Sequence, residues 1–169
     1  MRIEQYSVIV NGVSCVAMRS DCDRKRQVAS RTVFRMEFPF EIELTVRYQD
    51  LDLLGHVNNT AYVTYLEQAR IEYIDSVLGV RFDEWDMVIA NLNVDYERQI
   101  DPDVESVRVD CGVVELGTSS LRMESNVVPV GWDEPAVTAE ATLVALRDGA
   151  PREIPAAWRE RIEAFEPGL

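Results

Sequence analysis

Asp52 stands a few residues ahead of a helix start in the run RYQDLDLLGHVNNTAYVTYLEQAR, residues 47–70. The run reads as a strand end, an acidic turn, a Gly-His corner, an Asn-Asn-Thr helix start and then a long helix. A helix N-terminus offers unpaired backbone N–H groups and a partial positive charge. A carboxylate beside it can attack an activated carbonyl, or draw the proton from a water that does so. The N–H groups then stabilise the oxyanion that forms. A lone Asp in a loop is usually a turn or capping acid, so the neighbours of Asp52 carry the reading.

Asp50 is expected to hold the turn through local backbone hydrogen bonds. His56 is the only His of the chain. It either orients the turn or touches a ligand, or sits as a corner residue with its hydrogen bonds satisfied, and we favour the corner residue. Asn58 can cap the helix or bind a ligand. Glu67, two turns into the helix, is expected to pair with Arg70 or Arg47. Tyr62, Tyr65 and Tyr73 recur at helical spacing, for which core packing is the default and pocket lining the alternative.

The elements that must position these residues follow from periodicity. Residues 40–48 alternate, with Phe40, Ile42, Leu44, Val46 and Tyr48 facing one way, as in a half-buried strand. The helix is expected to run from Asn58-Asn59-Thr60 to about Leu78, with Gly79 as its stop. Tyr62, Leu66, Ala69, Tyr73 and Val77 form one stripe. Val63, Ile71, Ile74 and Leu78 widen it, so the helix is expected to be largely enclosed. Four long alternating stretches follow at 87–100, 104–116, 119–130 and 136–147, divided by Asp-Pro-Asp, Gly-Thr and Gly-Trp-Asp turns. Their length implies a strongly curved sheet. Residues 155–165 read as a short helix with Trp158, Ile162 and Phe165 on one side. The physical solution is an α+β unit whose antiparallel sheet of about five strands curls around one long helix.

The net charge of -13 hides a split. Residues 1–35 carry seven Lys+Arg and three acids, a net +4, whereas residues 36–169 carry ten Arg, no Lys and 27 acids, a net -17. We read residues 36–169 as one domain. For residues 1–35 a start codon assigned too early is favoured over a flexible basic arm or an added hairpin. The acidic, Lys-free body is what concentrated salt would keep soluble, and a merely acidic protein is an equal reading. Either way it lacks the basic footprint that nucleic acid requires. No run approaches the ~20 apolar residues that cross a bilayer, and no secretory pattern opens the chain. A cytoplasmic protein without a membrane partner is expected. Cys15, Cys22 and Cys111 are odd in number and form no CxxC, and one His cannot complete a zinc site with them. Cys111 lies in an alternating apolar stretch and is expected in the core.

Asp50-Leu51-Asp52-x-x-Gly55-His56-Val57-Asn58-Asn59, then Tyr62, then Leu66-Glu67-x-Ala69-Arg70, resembles the hotdog-fold thioesterases. Among them it is most similar to the 4-hydroxybenzoyl-CoA thioesterase-like acyl-CoA thioesterases. The resemblance covers the element order of residues 38–148 and leaves residues 1–35 outside. It implies that Asp52 is the catalytic carboxylate and that the Asn59 backbone N–H polarises the thioester carbonyl. It implies that Gly55 lets the chain approach closely, and that the Gly117-Thr118-Ser119-Ser120 turn touches the pantetheine arm through Thr118 and Ser119, although an ordinary turn is as good a reading there. His56 and Asn58 then become substrate-binding candidates, and Arg47, Arg81 and Arg98 candidates for the nucleotide phosphates. An acyl-CoA substrate, a homodimer or homotetramer with sites at subunit interfaces, and no metal or redox cofactor are implied. Gly-His-Val-Asn-Asn argues against the hydroxybenzoyl substrate itself. Acyl-carrier-protein thioesters and a non-catalytic acyl-CoA-binding module are the alternatives. The acidic body disfavours docking an acidic carrier, and the presence of Asp52 disfavours the module.

Overall fold

Alternation puts Phe40, Ile42 and Leu44 half-buried on one face of β1 (Phe40–Thr45) and Glu41, Glu43 and Thr45 in solvent on the other. The chain is seen in a computed structural model that describes residues 38–81 and 86–169. After β1 come a single 3-10 turn (Tyr48–Asp50), α1 (Asn59–Tyr73) and a π-type turn (Ile74–Leu78). Then follow β2 (Met87–Tyr96), β3 (Ser106–Leu116), β4 (Ser120–Pro129), β5 (Val137–Arg147), a two-residue β6 (Ala150–Pro151) and α2 (Ala156–Phe165). The strand order is β1-β3-β4-β5-β2, every neighbouring pair is antiparallel, and β6 adds only to β5.

This order dictates the position of α1. The helix joins β1 to β2, and these are the two opposite edges of the sheet. The connection must therefore cross the sheet, which it does by packing Tyr62, Leu66, Ala69 and Tyr73 into one core with Val107, Val109, Cys111, Met123, Val127 and Leu143. The helix ends where expected, with Gly79 in the left-handed region at φ 59° and its N–H bonded to the Asp75 carbonyl. Cys111 is fully buried, as its apolar setting implied, whereas Cys15 and Cys22 lie outside the described residues. The α+β expectation of a five-strand antiparallel sheet with one long helix holds, β6 being a two-residue addition.

Three expectations about the elements change. Tyr48 does not share the apolar face of β1; it is 92% exposed, because the strand ends at Thr45 and the chain tightens into the 3-10 turn. The second strand stops at Tyr96 rather than residue 100. Beyond it the Glu97 and Arg98 N–H groups both turn to the Ala136 carbonyl. Nor is α1 largely enclosed. Thr60, Thr64, Glu67, Gln68 and Glu72 are exposed, while Val63 and Ile71 are half-buried. The sheet covers one face only. The boundary expected at residue 35, and every reading of residues 1–35, lies outside the described residues.

Candidate active site

Between β1 and α1 the chain makes two nested turns. Asp50 holds the first. Its Oδ2 accepts the Arg47 backbone N–H at 2.8 Å, and its carbonyl accepts the Asn58 N–H at 2.8 Å. Asp52 holds the second. Its Oδ1 accepts the Leu54 N–H at 2.8 Å and the His56 N–H at 3.2 Å, and its own N–H reaches the His56 carbonyl at 2.8 Å. No hydrogen bond reaches Asp52 Oδ2 among the described residues. One oxygen of the half-buried carboxylate thus fixes the turn and the other is available for chemistry. Asp52 is a turn acid and a candidate reactive acid at once.

Gly55 has φ 84°, and a Cβ there would meet nothing within 4 Å. The glycine is needed for its left-handed backbone, and the space beside it is open among the described residues. The following residues pin the turn to the rest of the protein. The Leu51–Val57 bridge closes it, and the Val57 N–H bonds the Ile100 carbonyl at 3.0 Å.

The helix start behaves as a cap should. Asn58 Oδ1 accepts the Thr60 N–H at 2.9 Å and the Thr60 hydroxyl at 2.8 Å, and the Asn58 carbonyl takes the Ala61 N–H. The Asn59 N–H, the first of the helix, meets no acceptor among the described residues. Its carbonyl accepts the Tyr96 phenol at 3.2 Å, tying the helix start to β2. Asn58 is therefore occupied as the cap, and Asn59 carries the open donor.

His56 departs from the expectation of a corner residue with its hydrogen bonds satisfied. Its Nε2 lies 3.6 Å from Asp101 Oδ1, and its buried Nδ1 has no hydrogen-bond partner among the described residues. The three tyrosines prove to be core: Tyr62, Tyr65 and Tyr73 are 2%, 4% and 1% exposed. Burial raises the Tyr62 phenol above its ordinary value; the Ile100 backbone opposes this, and Tyr96 and the nearby Asp52 charge add to it. The Tyr65 hydroxyl bonds Asp50 Oδ2 at 2.8 Å, a link from α1 to the turn that periodicity does not show. Leu53 and Leu54 directly follow Asp52 and are both exposed, an apolar pair that the motif also leaves unexplained.

Other candidates are not gathered here. Thr118 and Ser119 follow β3, whose first residues lie at the Asp52 end through the Thr45–Ser106 pairing and the Val46 bond to Glu105. The eleven residues of β3, roughly 33 Å of chain at ~3.3 Å per residue, lie between them and that end. Their carbonyls hold Ile154 and Ala145. Arg98 pairs with Glu134 and stacks on Trp132, so its guanidinium is already engaged. Arg70 is buried, with Nη1 3.4 Å from the Leu66 carbonyl. Burial lowers its pKa, against the opposing Glu67 charge, so Glu67 acts on Arg70. A cleft of about 270 Å³ lies elsewhere, lined by Glu41, Glu43, Arg108 and Trp132 among others.

The profile of the Thioesterase-like superfamily matches residues 46–162, which contain both turns and the helix start. The chain belongs to the thioesterase-like superfamily. Its fold is the hotdog fold, and a thioesterase from Thermus thermophilus, solved with coenzyme A and Zn, is similar to it. That structure is 42% identical with a TM-score of 0.72 over 78% of this chain and 97% of that one. A predicted thioesterase from Bacillus stearothermophilus is 26% identical, with a TM-score of 0.68 over 75% of this chain and 96% of that one. The uncharacterized protein YsmA of Bacillus subtilis is 31% identical over 53% of this chain and 61% of its own length. The chain spans less than two thirds of the length of the curated relatives it matches. In this superfamily member, no group of three or more His, Cys, Asp or Glu among the described residues stands together to hold a metal.

Proposed function

We propose that this thioesterase-like protein hydrolyses an acyl-CoA thioester to a free carboxylic acid and coenzyme A. One observation carries the reading. Asp52 offers an unbonded carboxylate oxygen at a turn leading into a helix whose first N–H, on Asn59, has no acceptor among the described residues. A thioester carbonyl is already reactive, because sulfur donates poorly into it and thiolate leaves readily. A carboxylate and an oxyanion site then suffice without a catalytic triad.

Two routes use the same residues. Asp52 Oδ2 attacks the carbonyl carbon, the Asn59 N–H stabilises the oxyanion, and collapse breaks the C–S bond. Coenzyme A leaves as the thiolate, and water hydrolyses the resulting anhydride. Alternatively Asp52 Oδ2 takes the proton of a water that attacks directly. The same C–S bond then breaks, and the proton passes to the departing sulfur. The helix dipole favours the oxyanion in both.

The Thermus relative solved with coenzyme A supports coenzyme A over a carrier protein as the thiol component. So does the acidic body, which would repel an acidic carrier. The 4-hydroxybenzoyl-CoA-like subfamily and a cytoplasmic setting belong to the proposal. No helix among the described residues is long and apolar enough to cross a membrane.

We infer that the working unit is a homodimer or homotetramer. Two observations support it. Val88 and Ile89 are 46% and 43% exposed on β2, an edge strand with one side unpaired among the described residues. In addition, Thr118 and Ser119 lie at the far end of β3 from their own Asp52, so a pantetheine-touching role falls to a second copy.

The test is thiol release from a panel of acyl-CoAs, at low and molar salt, by wild type and Asp52→Asn. Turnover that falls ~10²–10⁴-fold in the variant is expected. Tight acyl-CoA binding with no turnover would make the protein a binding module. Activity that survives Asp52→Asn would remove Asp52 from the mechanism.

A further inference from the structure

We propose that Asp101, on the β2–β3 loop, is a positioning residue that sets the Asp52 turn through the His56 imidazole. The inference rests on the thioesterase reading for its effect on turnover and on geometry alone for its effect on the turn.

His56 is the residue through which the turn is adjusted. Its N–H bonds Asp52 Oδ1 at 3.2 Å and its carbonyl accepts the Asp52 N–H at 2.8 Å, so a displacement of the His56 backbone moves the carboxylate. The side chain of His56 makes one polar contact among the described residues. Nε2 lies 3.6 Å from Asp101 Oδ1, while Nδ1 is buried without a partner. At 3.6 Å the contact is electrostatic and not a formed hydrogen bond. The carboxylate still selects the tautomer that carries its proton on Nε2, because a bare nitrogen would face it unfavourably. With Nδ1 unbonded, nothing else polar among the described residues sets the ring's orientation.

The same loop supports the turn a second time, one residue before Asp101, where the Ile100 carbonyl accepts the Val57 N–H. One contact fixes the backbone after His56 and the other fixes its ring. A loop 45 residues away in sequence thereby sets where the Asp52 carboxylate stands. The side chain of Asp101 is 63% exposed, so its removal leaves the core intact.

The experiment compares wild type, Asp101→Ala, Asp101→Asn and Asp103→Ala. His56 is the single histidine, so its imidazole ¹⁵N signals are read without assignment ambiguity. In Asp101→Ala we expect those signals to move toward a tautomer mixture. The Leu54 and His56 amide resonances, which report the two bonds to Asp52, should shift with them. Asp101→Asn, which keeps an oxygen facing Nε2 but loses the charge, should restore only part of both, and Asp103→Ala should change neither. For thiol release, kcat should fall about tenfold in Asp101→Ala at unchanged KM, less than the ~10²-fold that a 1 Å misplacement costs. Unchanged imidazole and amide signals in Asp101→Ala overturn the proposal, whatever the activity. A raised KM at constant kcat overturns it too, since that marks a substrate contact. A wild type that releases no thiol refutes the thioesterase reading, and the resonances then decide this proposal by themselves.

Discussion

The Tyr65 phenol and the Arg47 backbone N–H share one oxygen, Asp50 Oδ2, each at 2.8 Å. The phenol belongs to the helix that supplies the candidate oxyanion donor, and Asp50 belongs to the turn that leads to Asp52. The bond therefore sets the spacing between the two halves of the site. Tyr65→Phe should remove it while Asp50 keeps the Arg47 N–H. A loss of about 1–2 kcal/mol is expected, seen as a lower urea midpoint at unchanged slope. An unaltered midpoint would mean that the link carries no weight.

Glu166 presents a larger stake. It is 5% exposed, and its Oε1 accepts the Tyr73 phenol at 2.7 Å and the Val113 N–H at 3.0 Å. Truncation leaves two buried donors unpaired, each worth ~1–3 kcal/mol. Glu166→Ala should therefore cost about 3 kcal/mol, against about 1 kcal/mol for Tyr73→Phe, which removes only one of the two donors. Denaturant titration of both variants checks the ratio; equal losses would show that the Val113 bond contributes nothing.

Alkaline pH should weaken the fold. Burial pushes the Cys111 thiol up to about 12, with the Asp110 and Glu166 charges adding to the rise and Arg70 opposing it. Burial likewise raises the Tyr62, Tyr65 and Tyr73 phenols above their ordinary range. These groups stay protonated in the native chain where the unfolded chain ionises. Above about pH 8.5 the unfolded state thus binds fewer protons. The stabilisation is complete below that point and is lost as pH climbs toward the folded values. Urea midpoints at pH values of about 7, 9 and 10.5 should fall in that order, and Cys111→Ala should flatten the first part of the decline. A rising midpoint would reverse the sign of the argument.

The side of β2 that is unpaired among the described residues predicts assembly. Its apolar exposure, without a Lys in the strand, is the kind of edge that a free monomer does not keep. Light scattering should report a dimer or tetramer for wild type. Ile89→Lys should shift it toward monomer and depress thiol release with it, because Thr118 and Ser119 then have no second Asp52 to serve. A monomeric wild type with full activity would dismiss the shared site.

The acid-turn-helix run was legible in sequence because its interactions are local. The Asp52 bonds span two and four residues and the Asn58 cap spans two, so residue types at fixed spacing suffice to write them. Strand alternation was legible for the same reason, since a half-buried strand repeats every two residues wherever it lies. The strand ends were less so. At Tyr48 the apolar alternation continues although the strand has ended; beyond Tyr96, Glu97, Arg98 and Gln99 interrupt it, and Ile100 is buried outside the strand.

By itself, then, the sequence determined the two turns, the helix cap, the glycine corner and the faces of the strands. Tertiary structure decided that β1 and β2 occupy opposite edges and that α1 crosses between them with one face left open. It also decided that Tyr65 reaches Asp50, that Tyr96 reaches Asn59, that Glu166 closes on Tyr73, and that Asp101 faces His56. These pairs lie 15 to 93 residues apart. No local period encodes such a contact; it exists only once the sheet has chosen its strand order and the core has brought the segments together.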